Sequence, residues 1–150
     1  MLIPDFGGNI NALKKVIEAQ PDVLNHNIEV VKGMFAEARP EGDYDISIQL
    51  LKNVKRLAPK IKTKSGLMIG LGETKGQIIN ALNDLREAGV DFLTIGQYLQ
   101  PTEEHMPIAK YYKPEEFSGL KEEALKMGFS KVESGPLVRS SYHAGEIHEA

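Results

Sequence analysis

Residues 62–71, KTKSGLMIGL, decide the fold class of this chain. This apolar run predicts a buried strand that ends in the turn residues Gly70, Leu71 and Gly72. A helix follows, with its apolar side chains on one face and Gly89 at its end. Residues 91–99, DFLTIGQYL, predict a second strand rich in β-forming residues. A strand, a helix and a strand at this spacing form a βαβ unit, whose strands are parallel and whose crossover is right-handed.

The same alternation extends in both directions along the chain. Further strands are predicted at residues 2–6 and 23–28. Helices are predicted after Asn9, over residues 30–38, after Asp45 and over residues 115–127, where Pro114 precedes the last helix. Four β-then-α units predict an α/β protein with a parallel sheet. A complete eight-unit barrel needs about 250 residues, so half a barrel and a small doubly wound sheet both stay open at this point.

Composition excludes several classes of function. The chain has 150 residues, 18 basic and 21 acidic, so a strongly basic nucleic-acid-binding surface is not expected. No apolar run is long enough for a transmembrane helix, and the residues after Met1 do not resemble a signal peptide. The chain has no cysteine, which excludes disulfides, zinc–thiolate sites and thiol nucleophiles within it.

Polar residues follow each predicted strand, where parallel α/β proteins hold their ligands. These residues are Asp5, the group 25–29, the group 70–73 and the group 97–100. Asn25 and Asn27 have amides that suit sugar hydroxyls, although such side chains also satisfy turn backbone, and both interpretations remain open. His26 is a possible general base without a visible partner. The glycines around Met68 allow close approach of backbone, for which tight strand–helix packing is the more frequent reason.

Several segments together resemble one known family. They are Leu2-Ile3-Pro4-Asp5-Phe6, Asn25-His26-Asn27-Ile28-Glu29, Tyr44-Asp45, the run TKSGLMIGLGET at 63–74, the run TIGQYLQP at 94–101, and Arg139-Ser140-Ser141-Tyr142-His143. Their order and spacing, from about residue 2 to residue 146, resemble lipoyl synthases, a family of radical S-adenosylmethionine (radical SAM) enzymes. The strand motif at 94–101 and the serine-rich tail distinguish them from biotin synthases, which share the Asn-His-Asn motif.

The resemblance implies a fold and a reaction. It implies a partial parallel (βα) barrel of radical SAM type, with residues 1–150 as the last four βα units and residues 129–150 as a C-terminal tail. It implies insertion of two sulfur atoms into an octanoyl chain held on a carrier lysine. In such enzymes SAM is cleaved at one [4Fe–4S] cluster to give a 5′-deoxyadenosyl radical, and a second, auxiliary [4Fe–4S] cluster supplies the sulfur.

The resemblance also implies partners and a location. The expected partners are octanoylated lipoyl-carrier domains or the glycine-cleavage H protein, with neither nucleic acid nor a membrane. The expected location is the cytoplasm in bacteria, or a mitochondrion or plastid in eukaryotes.

The resemblance assigns site residues by position. Those implied to bind the SAM nucleoside are Asn27 and Glu29 at the ribose, with Gly66, Met68, Gly70, Glu73, Gln97 and Tyr98 on the adenine side. Ser140 is implied to be the fourth ligand of the auxiliary cluster and to act with Arg139, which supports its loop. A serine oxygen is a poorer iron–sulfur ligand than thiolate, so it suits a ligand that must leave.

The chain departs from the family in one respect. Family members hold their clusters with six cysteines, and this chain has none. We therefore expect the chain to be the C-terminal half of a lipoyl synthase, inactive alone, with the cysteines before Leu2 or on a separate N-terminal half. The alternative is a catalytically inactive, stand-alone module that binds SAM or a nucleoside.

Overall fold

The computed structural model describes residues 1–40 and 42–139, and its centre is one parallel sheet. Its four strands are β1 (Val23–Asn25), β2 (Lys62–Ile69), β3 (Phe92–Gln97) and β4 (Lys131–Gly135), and they lie side by side in that order. Every neighbouring pair is parallel. The α/β class and the partial parallel barrel architecture expected from the sequence are thus confirmed.

Helices connect these strands. They are α1 (Ile10–Glu18), α2 (Phe35–Ala38), α3 (Tyr44–Leu57), α4 (Lys75–Glu87) and α5 (Pro114–Met127), with short 3-10 helices at Phe6–Gly8 and Lys32–Met34. Asn9 caps α1 as expected, but Asp43 and not Asp45 caps α3. Thr74 and Gln77 form a capping box at the start of α4, which fixes the direction in which that helix leaves β2.

The strand expected at residues 2–6 is reduced to a single bridge. Leu2 pairs with Asn25, and Ile3 N donates to the Asn25 carbonyl at 2.9 Å. Pro4 has no N–H to continue such a ladder, and the Asp5 carboxylate instead accepts the Gly7 N–H at 2.8 Å. The chain therefore turns into a 3-10 helix where an extended strand was expected.

The fourth strand lies in the segment that the sequence assigned to the tail. β4 pairs with β3 from Phe92 opposite Lys131 to Gly96 opposite Gly135. Its only aliphatic residue, Val132, is buried, so the segment carries almost none of the apolar signal that marks a strand. Pairing with β3, rather than local propensity, forms this strand.

The two faces of the sheet differ because successive side chains point to opposite sides. Leu67, Ile69, Leu93 and Ile95 are at most 3% exposed and belong to the main core, together with residues of α4 and α5. The opposite face carries Gly66, Met68, Thr94 and Gly96. Two of these residues have no side chain, and we call this side of the sheet the open face. A second core cluster, which includes Leu13, Leu24 and Val54, fixes α1 against α3.

Across the described ranges, no helix has both the length and the apolar character needed to cross a membrane.

Candidate functional site

A cavity of about 220 Å³ lies on the open face, near the carboxyl ends of β1, β2 and β3. Its lining consists of Asn27, Glu29, Gly66, Leu67, Met68, Thr94, Gly96, Val138 and Arg139. Five of these residues were singled out from the sequence: Asn27, Glu29, Gly66, Met68 and Arg139. The fold thus brings together residues that lie more than a hundred positions apart in the chain.

A larger cavity of about 850 Å³ adjoins the first and shares Asn27 and Glu29 with it. One part of its wall is apolar, with Leu2, Ile3, Pro4 and Pro40, and another part is polar, with Asp5, His26 and Arg39. The side chains of Asn27 and Glu29 can therefore contact a ligand in either cavity.

Two glycines make the floor of the smaller cavity possible. A Cβ at Gly66 would collide with Thr94 Oγ1 and approach Asn27 Oδ1 to 3.3 Å. A Cβ at Gly96 would collide with the carbonyl oxygen of Val138. The chain after β4 therefore lies directly on β3, where a side chain at position 96 would prevent it.

The segment at Val138 and Arg139 closes one side of this cavity. Val138 N donates to the Gly135 carbonyl at 3.2 Å, which turns the chain back over the sheet. Arg139 Nη1 donates to the Val138 carbonyl at 2.7 Å. Arg139 thus lies at the cavity, and its implied support of the Ser140 loop stays a prediction. Ser140, the implied iron ligand, lies outside the described residues.

Asn27 carries the strongest indication of a ligand. The residue is 6% exposed, and no donor in the described part of the chain reaches its Oδ1. Its side chain also makes a hydrogen bond with the Glu29 carboxylate. Leaving a buried acceptor unpaired costs about 1–3 kcal/mol, so a donor from a bound molecule would satisfy Oδ1.

Glu29 is held in an unusual conformation at the junction of the two cavities. Its φ of 70° lies in the left-handed region, which costs a non-glycine residue about 1–3 kcal/mol. Its N–H donates to the Gly66 carbonyl at 3.1 Å, and its carbonyl accepts the Met68 N–H at 2.7 Å. Burial raises the pKa of its carboxyl, while Arg39 and the hydrogen bond with Asn27 act in the opposite direction.

His26 is a structural residue rather than a free base. Its Nδ1 donates to the Ile3 carbonyl at 2.9 Å, so Nε2 accepts the Ser47 hydroxyl at 2.8 Å. Burial lowers the pKa of the ring, which favours this neutral tautomer. The imidazole therefore fastens residues 1–3 to β1 and α3, and both of its nitrogens are occupied.

Glu73 lies apart from these cavities and supports a turn. Its carboxylate accepts the N–H groups of Gly70 at 2.9 Å and Leu71 at 3.2 Å, and the Tyr112 hydroxyl donates to it at 3.0 Å. These contacts fix the chain between β2 and α4. A contact of Gly70 or Glu73 with adenine stays a prediction.

Gln97 and Tyr98 hold the loop that connects β3 to α5. Gln97 Nε2 donates to the carbonyls of Tyr98 and Lys110, while Gln97 Oε1 accepts the Tyr112 N–H at 2.9 Å. The Tyr98 hydroxyl donates to the Met106 carbonyl at 2.7 Å. Neither residue lines either of the two cavities, and their implied contact with adenine also stays a prediction.

Sequence reasoning did not assign several residues of the site, among them Thr94, Gly96, Val138 and Arg39. Thr94 stands opposite Gly66 in the register of β2 and β3, which only the sheet pairing reveals. Val138 contributes mainly its backbone carbonyl group, which every residue has, so the sequence does not single it out. Arg39 precedes Pro40, and no periodic pattern connects it with Glu29.

The fold and the cavities define the chain as a parallel α/β protein with two adjoining cavities, lined in part by polar side chains, at the carboxyl ends of its strands. No family model matches the chain. Among curated proteins it is 56% identical over 149 residues to the lipoyl synthase of Rubrobacter xylanophilus, covering 99% of this chain and 46% of that protein. It is also 56% identical to the lipoyl synthase of Symbiobacterium thermophilum, over 97% of this chain and 46% of that protein.

A third relative, the lipoyl synthase of Alkaliphilus metalliredigens, is 54% identical over 99% of this chain and 51% of its own length. The chain is therefore homologous to lipoyl synthases over nearly all of its residues, and it spans about half the length of these curated relatives. The resemblance that the motifs indicated is confirmed.

Proposed function

We propose that this chain is the C-terminal half of a lipoyl synthase and contributes the wall that binds the SAM nucleoside. The observation that carries the proposal is the buried Oδ1 of Asn27, which has no donor among the described residues and faces a cavity shared with Glu29. The identities of 52–56% with proteins named lipoyl synthase support the family to which this activity belongs.

The residues at the cavity fit a nucleoside. A ribose has two adjacent hydroxyls, and Asn27 Oδ1 and the Glu29 carboxylate are neighbouring acceptors for them. Thr94 Oγ1 lies over Gly66 and the Val138 carbonyl lies over Gly96, so a base in this cavity would meet two oxygen atoms that accept hydrogen bonds. When bound, SAM would supply the radical chemistry of the reaction. The chain's own residues hold the ribose, and Val138 and Arg139 shield that side of the cavity from water.

The chain's residues do not fit an iron–sulfur cluster. Clusters are held by cysteine thiolates, and the 150 residues include none. Within the described ranges no three histidine, aspartate or glutamate side chains are grouped as metal ligands would be. The proposal requires cysteines from the rest of a longer polypeptide or from a second chain, with Ser140 as the remaining ligand of one cluster.

The substrate in this proposal is an octanoyl chain on a carrier-protein lysine, into which two sulfur atoms are inserted. The cavity of about 850 Å³ supports this choice because its apolar wall suits an alkyl chain. Its polar wall includes Glu29, the residue proposed to hold the ribose. The arrangement would therefore place the alkyl chain beside the nucleoside.

The absence of cysteine beside an intact cavity favours one alternative function, a stand-alone module that binds SAM or a nucleoside without catalysis. The mass and the activity of the native polypeptide distinguish the enzyme from the binding module. A native mass of about twice 16.6 kDa, with six cysteines and conversion of octanoyl to lipoyl carrier, supports the enzyme. A native mass of 16.6 kDa with nucleoside binding and no conversion supports the module.

The binding test uses calorimetry with 5′-deoxyadenosine and the native polypeptide that contains this sequence. We expect Asn27→Ala to weaken binding about tenfold or more, because one hydrogen bond to a buried acceptor is lost. Asn53→Ala, on the side of α3 that faces α1 and outside both cavities, is the matched control and leaves binding within about twofold. Equal affinities of the wild type and Asn27→Ala would contradict the proposed role of Asn27.

A further inference from the structure

Glu29 forms the centre of a tight turn that requires support. Val30 N donates to the Ile28 carbonyl at 2.9 Å, across a residue whose φ is 70°. A three-residue turn with a positive central φ is rare and strained. The Ile28 carbonyl that closes this turn receives a second hydrogen bond, at 3.3 Å, from Arg39 Nη1.

Arg39 is itself held in place from two sides. Its guanidinium stacks over the Phe35 ring at 5.1 Å from the ring centre. On another side, a Cβ at Gly42 would come within 3.4 Å of Arg39 Cζ, so Gly42 packs closely on it. A planar guanidinium makes a stacking contact and a directed hydrogen bond together, which the ammonium of a lysine does not reproduce.

This support extends away from the cavities to α3 and α4. The Phe35 ring packs edge-on against the Tyr44 ring, with 5.6 Å between their centres. The Tyr44 hydroxyl donates to Asp84 Oδ2 at 2.8 Å. The position of the guanidinium is therefore fixed by rigid elements on the packed side of the sheet.

The charged and polar groups around Glu29 leave Arg39 as its main positive neighbour. Arg39 lowers the pKa of the Glu29 carboxyl, against the effect of burial. Asp5 lines the larger cavity and carries a like charge, and His26 is held neutral. Arg139 lines the smaller cavity and donates to its own Val138 carbonyl.

We propose that Arg39 is a positioning residue, which holds the turn at Glu29 so that the Glu29 carboxylate is aimed at the cavities with a positive charge nearby. The inference rests on the proposed nucleoside site, because a charged carboxylate accepts both hydroxyls of a ribose whereas a protonated one does so poorly. Arg39 would act on the ligand only through Glu29.

The first measurement is a titration of the Glu29 carboxyl by carbon-13 NMR, in the native polypeptide that contains this chain. The Glu29 signal is assigned by its loss in Glu29→Gln. We expect Arg39→Met to shift the titration midpoint of the Glu29 carboxyl upward, since the opposing positive charge is gone. In Arg39→Lys the midpoint should return most of the way to the wild-type value. Lys75→Met, which removes an exposed cation that pairs with Glu123, is the control and leaves the midpoint unchanged.

The second measurement is the affinity for 5′-deoxyadenosine across the same pH range. At pH 7 we expect Arg39→Met to weaken binding about tenfold, and Arg39→Lys to regain part of that loss. In a Glu29→Gln background Arg39→Met should have almost no further effect, because the two residues act as one unit. If Arg39→Met does not fold, Arg39→Lys in the same cycle gives the answer.

The outcomes separate the inference from the proposed function. An unchanged Glu29 midpoint in a folded Arg39→Met protein, or additive losses in the cycle, would overturn the role of Arg39. If Arg39→Met shifts the Glu29 midpoint but the wild type binds no nucleoside, the proposed function is overturned. The role of Arg39 beside Glu29 is then kept.

Discussion

Two groups of residues at the carboxyl ends of the strands look equivalent in the sequence and have opposite roles in the structure. The cavity group consists of Asn27, Glu29, Gly66, Met68 and Arg139, and it surrounds open space. The loop group consists of Gly70, Glu73, Gln97 and Tyr98, whose side-chain or backbone polar atoms hold the segments after β2 and β3. In the cavity group, one buried acceptor has no protein partner within the described ranges.

The difference shows how a ligand site is recognised in a rim of polar residues. A polar side chain that fastens backbone stabilises the fold without a ligand, as Gln97 does through three hydrogen bonds. A buried polar atom without a partner lowers stability until something binds to it. Substitutions in the loop group should therefore mainly lower stability. Substitutions in the cavity group should mainly lower the affinity for the ligand.

The largest expected effect is on stability, in Gln97→Leu. This change leaves the Tyr112 N–H and the Lys110 carbonyl without their side-chain partner. The buried Tyr98 carbonyl also loses its partner, so we expect a loss of about 3 kcal/mol in the free energy of unfolding, at about 1 kcal/mol for each of the three hydrogen bonds. Urea unfolding of the native polypeptide measures it.

Asn27→Ala is the matched variant from the cavity group. Its Oδ1 has no donor to lose among the described residues, but the hydrogen bond between its side chain and the Glu29 carboxylate is lost, so we expect a loss of about 1 kcal/mol. Equal destabilisation by the two variants would remove the distinction between the groups.

The second effect concerns the approach of the chain to β3 at Gly96. In Gly96→Ala the new methyl group collides with the Val138 carbonyl, which belongs to backbone and does not swing aside. We expect a loss of about 1–3 kcal/mol, as for other overpacked sites, together with weaker nucleoside binding. Gly119→Ala is the control, because nothing lies within 4 Å of that position in α5. It should stabilise the protein by up to about 1 kcal/mol. A neutral Gly96→Ala would show that the segment at Val138 is not seated on β3.

The smallest effect is expected for Tyr112→Phe. The change removes one hydrogen bond to Glu73, which keeps its backbone donors Gly70 and Leu71. We expect a loss of about 1 kcal/mol and unchanged affinity for 5′-deoxyadenosine. Tyr111→Phe serves as the control, since Tyr111 is 68% exposed and should change neither quantity. A tenfold fall in affinity for Tyr112→Phe alone would move the turn at Glu73 into the binding site.

The sequence predicted those parts of the fold whose signal is local. The βαβ unit around Gly66 was predicted because its strands are continuous apolar runs and its helix carries an apolar face. β4 was missed because its strand state depends on pairing with β3. The bridge at Leu2 replaced a strand because Pro4 and Asp5 favour a turn. The strand state of β4 is a long-range effect that local pattern does not contain, whereas the turn at Pro4 and Asp5 is a local signal that the apolar pattern outweighed.

The site was predictable to the extent that the family resemblance assigns residues by position. The resemblance assigned both Asn27 and Gln97 to the SAM nucleoside, Asn27 to the ribose and Gln97 to the adenine side. Which of them faces a cavity depends on side-chain direction and on the loop that folds over Gln97. Arg39 was missed for a similar reason, since its link to Glu29 passes through a carbonyl and an aromatic ring.

The central claim is that the nucleoside lies in the cavity between Asn27, Gly66 and Arg139. Photolabelling of the native polypeptide with 8-azido-adenosine, followed by peptide mass spectrometry, tests it most directly. The account predicts labels on residues 66–68 and 138–139 that disappear with excess 5′-deoxyadenosine. Competed labels confined to residues 97–112 would contradict it and would assign the ligand to the loop group instead.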